Sequence, residues 1–175
     1  AEIDILRQMG VQFQTGVEVG KDVTLEALRK QGYRAFYVAI GAQGGRKVGV
    51  EGEDANGVLS GIEFLRKINA GESLKLSGKT IVIGGGNVAV DVARTAVRSG
   101  AETVAMYCLE SRDIMPASAE EIEEAEGEGI SIHTCFGPKR ILTKNGKVMG
   151  VEFKKCLSVF DADGRFSPKY DEADT

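Results

Sequence analysis

With 175 residues and a hydrophobic fraction of 42%, the chain has the material for one core of ordinary domain size. Its 22 Lys and Arg against 26 Asp and Glu leave a net charge of −4, so no broad basic field exists to draw in nucleic acid or anionic lipid, and neither is expected as a partner. Its apolar runs end far short of the roughly 20 residues that cross a bilayer, and no charged-then-apolar leader opens the chain, so a soluble, unprocessed protein is expected.

Ile3, Ile5, Leu6 and Met9 fall at helical spacing, and residues 11–17 then alternate as a strand with no lead-in, which reads as the cut edge of a larger protein. Residues 24–31 read as a short helix stopped at Gly32, followed by an apolar strand over 35–40 that ends in Gly41-Ala42. The glycine-rich stretch 41–57 shifts in composition and reads as a connector, which makes it the best place for a domain boundary. Leu59, Ile62, Phe64, Leu65 and Ile68 give a helix over 59–68, ended by Gly71. Thr80-Ile81-Val82-Ile83 is a β-branched apolar run of the kind buried in a parallel sheet. A helix over 87–99 carries Val88, Val92, Ala96 and Val97 on one side, and residues 103–109 form the next strand. Ser118-Ala119-Glu120-Glu121 is a capping box opening a helix to about Gly129. Residues 130–136 alternate as a strand, and 139–143 with 147–159 form a hairpin about Asn145-Gly146. Residues 161–175 are polar and complete no element, and the chain contains no internal repeat.

Strand, glycine loop, helix and second strand in that order make a βαβ unit, so the fold class is α/β, Rossmann-like, with a β-hairpin or meander appended. The loop is Gly84-Gly85-Gly86-Asn87-Val88-Ala89. A pyrophosphate needs converging backbone amides at a helix N-terminus, where the helix dipole adds about half a positive charge. Gly84 permits the tight turn out of the strand, Gly86 removes a side chain from the path of the phosphates, Ala89 lets helix and strand approach, and Gly85 adds freedom. The expected ligand is NAD(H) or NADP(H). Glu110 falls about 20 residues beyond Ala89, where an acid holds the ribose hydroxyls and repels a 2′-phosphate. Arg112 is the residue able to swing over the ribose and accept that phosphate, so both cofactors stay open with a lean to NAD(H).

Other chemistry-bearing residues carry less. Cys108, Cys135 and Cys156 are odd in number and form no C-x-x-C, which argues against a disulfide framework and against a zinc or iron-sulfur site, and fits a reducing cytoplasm. They are expected to act as small buried hydrophobes. His133, the sole histidine, falls in a strand and is assigned to packing. The acids of 120–128 read as a solvated helix face, and Asp91 with Arg94, one turn apart, as a local ion pair or a cofactor contact. Met115-Pro116 is either a simple turn or a cover over the adenosine. No catalytic triad and no metal ligands are expected.

With these residues in hand, nearly the whole chain resembles the pyridine-nucleotide domain of the glutamate synthase small (β) subunit and its NAD(P)H-dependent FAD oxidoreductase relatives. Val82-Ile83-Gly84-Gly85-Gly86-Asn87-Val88-Ala89-Val90-Asp91-Val92-Ala93-Arg94 looks like that family's nucleotide loop and helix, and Arg112-Asp113-Ile114-Met115-Pro116-Ala117 like its Met-Pro-Ala loop. Tyr37-Val38-Ala39-Ile40-Gly41-Ala42, with Val50-Glu51-Gly52-Glu53-Asp54 and Gly57-Val58, is similar to its crossing between FAD and nucleotide domains. The resemblance implies a protein of the two-dinucleotide-binding-domain flavoprotein type. Residues 1–44 would be the C-terminal part of an FAD domain, with Ile40, Gly41 and Ala42 at the cofactor, and 45–175 an NAD(P)-binding domain lacking its last strand. It implies hydride transfer from NAD(P)H to FAD, then electron transfer to an iron-sulfur or large-subunit acceptor, and an isolated fragment inactive without FAD. One departure is Leu109-Glu110, where many relatives carry two arginines. The alternatives are a non-catalytic nucleotide-binding or redox-sensing module and a disulfide-reductase-like flavoenzyme.

Overall fold

The β-branched run before the glycine loop forms β1 (Lys79–Ile83) in the computed structural model, which describes residues 2–171 and 173. The chain divides into two units, Ala1–Gly41 and Ala42–Thr175. No described helix is long and apolar enough to cross a membrane.

The first unit holds two short helices, α1 (Glu2–Gln8) and α2 (Leu25–Lys30). Thr24 caps α2 by accepting the Ala27 amide at 3.1 Å, a bond that satisfies one of the amides left over at a helix start. The strands expected over 11–17 and 35–40 do not form. Within this unit the described residues make one isolated bridge, Val19 with Val23, so neither segment has a strand partner to take its ladder hydrogen bonds. Tyr37 stands 94% exposed and Ile40 81%.

The second unit is built on a parallel three-stranded sheet in the order β1-β2-β3, with β2 at Thr103–Tyr107 and β3 at Ser131–His133. Its helices are α3 (Gly61–Asn69), α4 (Asn87–Arg98) and α5 (Ala119–Gly127). Val82, Val104 and Met106 from the strands meet Val90, Ala93, Ala96, Ile122 and Ala125 from α4 and α5 in one buried seam. Each such valine or methionine gains roughly 1.5–3 kcal/mol from leaving water. α3 approaches α4 so closely that a Cβ on Gly61 would lie 2.9 Å from Val92 Cγ2.

On the sheet's other side Tyr107 is stacked between His133 and Phe153, with ring centroids at 4.5 and 4.1 Å, which gives His133 a packing role. Phe153 belongs to the antiparallel meander of β4 (Phe136–Lys144), β5 (Lys147–Phe160) and β6 (Phe166–Tyr170). Asn145 and Gly146 both take positive φ, 53° and 74°, as the two-residue hairpin turn requires.

Three expectations for this unit are corrected. The single strand expected over 130–136 is two strands in different sheets: β3 stops at His133, Cys135 adopts φ 64°, and Phe136 begins β4. Residues 161–175 do complete an element, because the Asp161 side chain accepts the amides of Asp163 and Arg165, turns the chain, and returns β6 along β5. Nor is 41–57 a free connector throughout: Glu51 bridges Arg140, Asn56 bridges Lys147, and a Cβ at Gly52 would strike the Ile141 carbonyl.

Candidate functional site

Because β1 and β2 run parallel with Ile83 opposite Tyr107, their carboxyl ends open side by side, and whatever follows each strand becomes a neighbour. The glycine loop follows β1. Its Gly84 amide donates to the Tyr107 carbonyl at 2.9 Å, and Gly84 takes φ 143°, a conformation side chains disfavour. A Cβ there would sit 3.2 Å from that of Ala89, so the pair Gly84 and Ala89 permits the helix–strand approach read from the motif.

Gly85 is needed for space rather than for freedom. A Cβ on it would lie 2.9 Å from Cys108 Cβ and 2.9 Å from Glu110 Oε2. The same contact places the Glu110 carboxylate against the loop, at the end of the second strand. Gly86 faces open space, with nothing within 4 Å of an added Cβ, and it caps α4 through its backbone. Gly86, Asn87 and Val88 thus present amides at the first turn of a 12-residue helix, where no intrahelical acceptor precedes them. The arrangement can hold an anion by backbone amides and dipole, with no side chain in the way.

A second loop locks onto the first. Ala117 donates its amide to the Gly85 carbonyl at 3.0 Å, and Ser118 donates to Asn87 Oδ1 at 2.9 Å. Met115 and Ala117 are buried there, so Met115-Pro116-Ala117 is tied to the glycine loop. Asn87, named only as part of the motif, is the residue that joins the N-termini of α4 and α5.

Arg112, on the 3-10 turn Arg112–Ile114, makes a two-pronged ion pair with Glu126 of α5 at 2.6 and 2.8 Å. The hydrogen bond from Arg112 draws the Glu126 carboxyl below its ordinary pKa, and the same bond raises that of Arg112. Arg94 does not pair with Asp91 in a local bridge. It reaches Glu121, Glu124 and Glu128 at 3.2, 2.5 and 2.8 Å, so the acids of α5 are in good part an interhelical clamp rather than a solvated face. The capping box is half formed for that reason: Ser118 Oγ accepts the Glu121 amide at 3.4 Å, while the Glu121 side chain goes to Arg94. Ile40 and Gly41 close the first unit, Gly41 at φ 68°, and Ala42 begins the second; none lies in a helix or strand.

The three cysteines, separated in sequence, come together behind Gly85. Cys156 donates its amide to the Cys135 carbonyl, Cys135 donates to that of Glu110, and Phe136 to that of Cys108. All three thiols are free. Burial pushes the Cys108 thiol up to about 11, with the Glu110 carboxylate adding to the shift, and burial raises Cys156 as well. A redox-active thiol needs the opposite shift. Among the described residues no group of His, Cys, Asp and Glu is arranged to hold a metal ion.

A family model described as pyridine nucleotide-disulphide oxidoreductase matches residues 2–166. The chain is 37% identical over 171 residues to the NADP(+)-dependent formate dehydrogenase subunit beta of Moorella thermoacetica, covering 95% of this chain and 24% of that one. It is 40% identical over 173 residues to the NADPH-Fe(3+) oxidoreductase subunit beta of Geobacter sulfurreducens (strain DL-1 / KN400), covering 96% and 26%. It is 34% identical over 175 residues to the NADPH glutamate synthase small chain of Escherichia coli (strain K12), covering 93% and 37%. The glutamate synthase resemblance read from the motifs is therefore met. The chain spans roughly a quarter to a third of the length of these relatives. Among solved structures, Mycobacterium tuberculosis FprA in complex with NADPH shares the fold, with a TM-score of 0.73 at 20% identity over 89% of this chain and 50% of that one.

Proposed function

Because this chain belongs to the pyridine nucleotide-disulphide oxidoreductase family and has the α/β fold of the two-dinucleotide-binding flavoproteins, we propose that it is the NAD(P)H-binding part of a flavin-dependent oxidoreductase. Residues 1–44 are assigned to the end of an FAD domain and 45–175 to the nucleotide domain, with Ile40, Gly41 and Ala42 at the crossing. The nicotinamide dinucleotide lies with its pyrophosphate on the amides of 84–89 and its adenosine ribose between Glu110 and Arg112. One observation supports this above the others: Gly86 is open above the first turn of α4 while Gly84 and Gly85 are each fixed by close contacts, which is the cradle a pyrophosphate needs. FAD in the intact protein accepts hydride directly from the nicotinamide, so the chain's residues position and polarise and need no acid–base pair. Electrons then pass to an iron-sulfur or large-subunit partner in the manner of a glutamate synthase small subunit. The setting is a reducing cytoplasm, and the fragment alone turns nothing over without FAD.

Relatives named for NADP(+) or NADPH pull the assignment one way. The carboxylate of Glu110 against the loop pulls the other, since it repels a 2′-phosphate. Calorimetric titration with NADH and NADPH tests both. NADH should bind at least as well as NADPH, Glu110→Arg should shift preference to NADPH, and Gly85→Val should abolish both. Binding of neither by wild type would sink the proposal, and a strong wild-type preference for NADPH would remove the role given to Glu110.

A further inference from the structure

Arg112 is the cation placed to meet a 2′-phosphate, yet both prongs of its guanidinium are already filled by Glu126. The two side chains are 47% and 45% exposed, so the pair sits at the rim rather than in the core. Glu110 lies against Gly85 of the loop, and Arg112 opens the 3-10 turn two residues further along the same strand-to-helix connection. The loop between them is held by a 2.6 Å hydrogen bond from Ser111 Oγ to Asp113. An acid on α5 and a phosphate on the ribose would therefore seek the same Nη1–Nη2 edge and the same positive charge, and Glu126 already occupies that edge.

We propose that Glu126 is a specificity-determining residue of this site, competing with the 2′-phosphate for Arg112 and so lowering the affinity for NADP(H) relative to NAD(H). This rests on the nucleotide reading above. A cofactor without the phosphate needs nothing from Arg112 and is indifferent to the pair. The latch is weak enough to open, because an exposed ion pair of this kind holds by a factor of about five at most. Glu110 repels the phosphate directly, whereas Glu126 withholds its counter-charge, so the two acids act independently on the same discrimination.

The test is a double-mutant cycle by calorimetry on the full chain at low salt, with NAD+ and NADP+ as probes. Glu126→Gln, a nearly isosteric change at an exposed position, should tighten NADP+ by about three- to five-fold and leave NAD+ unchanged. Arg112→Ala should weaken NADP+, and adding Glu126→Gln to it should then give no gain. Equal tightening of both nucleotides would mean a general charge effect, and a gain that persists without Arg112, or no gain, would equally overturn the proposal. Wild type binding neither nucleotide would instead bring down the dinucleotide reading and this inference with it. Circular dichroism of each variant confirms that the fold is intact.

Discussion

At Cys108, 2% exposed behind the glycine loop, burial has raised the thiol to about 11, which leaves a thiolate fraction of about 10⁻⁴ at pH 7. Cys156 is buried too, while Cys135 is partly exposed. Iodoacetamide at pH 7.5 should therefore modify Cys135 first, with Cys108 and Cys156 at least about tenfold slower and limited by opening of the fold. Mass spectrometry showing all three labelled together would refute that ordering. At this scale the motif was readable where local packing demands a residue type: Gly84 makes the turn and, with Ala89, the close approach that their spacing implies. Gly85 was misread, because its constraint comes from Cys108 and Glu110 on another strand. The partner of Arg112 was equally out of reach, since 14 residues and a helix reversal separate it from Glu126.

Elements that bury one face announced themselves. β1, α4, β2 and α5 all lie where the β-branched run, the apolar helix face, the strand after it and the capping box put them, because each carries apolar residues toward one shared seam, although Val88, read onto that face of α4, is exposed. Elements that depend on a distant partner did not. The segments 11–17 and 35–40 have strand-like sequences and no ladder, and β6 has a ladder because the Asp161 turn aims it back along β5. The α4–α5 clamp is of this second kind. The hydrogen bond from Arg94 holds the Glu128 carboxyl below its usual range, with Arg94 and Arg98 adding charge attraction. A folded pKa below the unfolded one contributes stability that is whole above about pH 4.3 and lost as pH falls through the folded value. Arg94→Gln should accordingly lower the urea midpoint at pH 7 and flatten the acid limb, so that the two stability curves converge as pH falls through the folded value. Curves that stay parallel would show that the clamp is not what titrates.

Over the whole chain, the residues Ala42–Thr175 contain both sheets, α3 to α5, the glycine loop, Glu110 and Arg112. Residues 40–175, that unit with Ile40 and Gly41 retained, should unfold in a single urea transition and bind nicotinamide dinucleotide within about twofold of the full chain, because no proposed cofactor contact comes from residues 1–39. A loss of binding on removing 1–39 would assign those residues a part in the nucleotide site. The fold class was readable from element order, since a strand–glycine loop–helix–strand sequence admits few topologies. The sheet exchange at Cys135 was not, because alternation of apolar residues is the same in either sheet. The bonds that fasten the glycine loop bear on energetics beyond geometry. Gly84 is pinned to Tyr107, Gly85 to Ala117, and Asn87 to Ser118, all by bonds internal to the protein. On the proposed reading a loop fastened in this way spends little ordering entropy on a nucleotide, so its affinity would turn on how well charge and shed water are matched, and cofactors differing by one phosphate would be told apart chiefly by electrostatics.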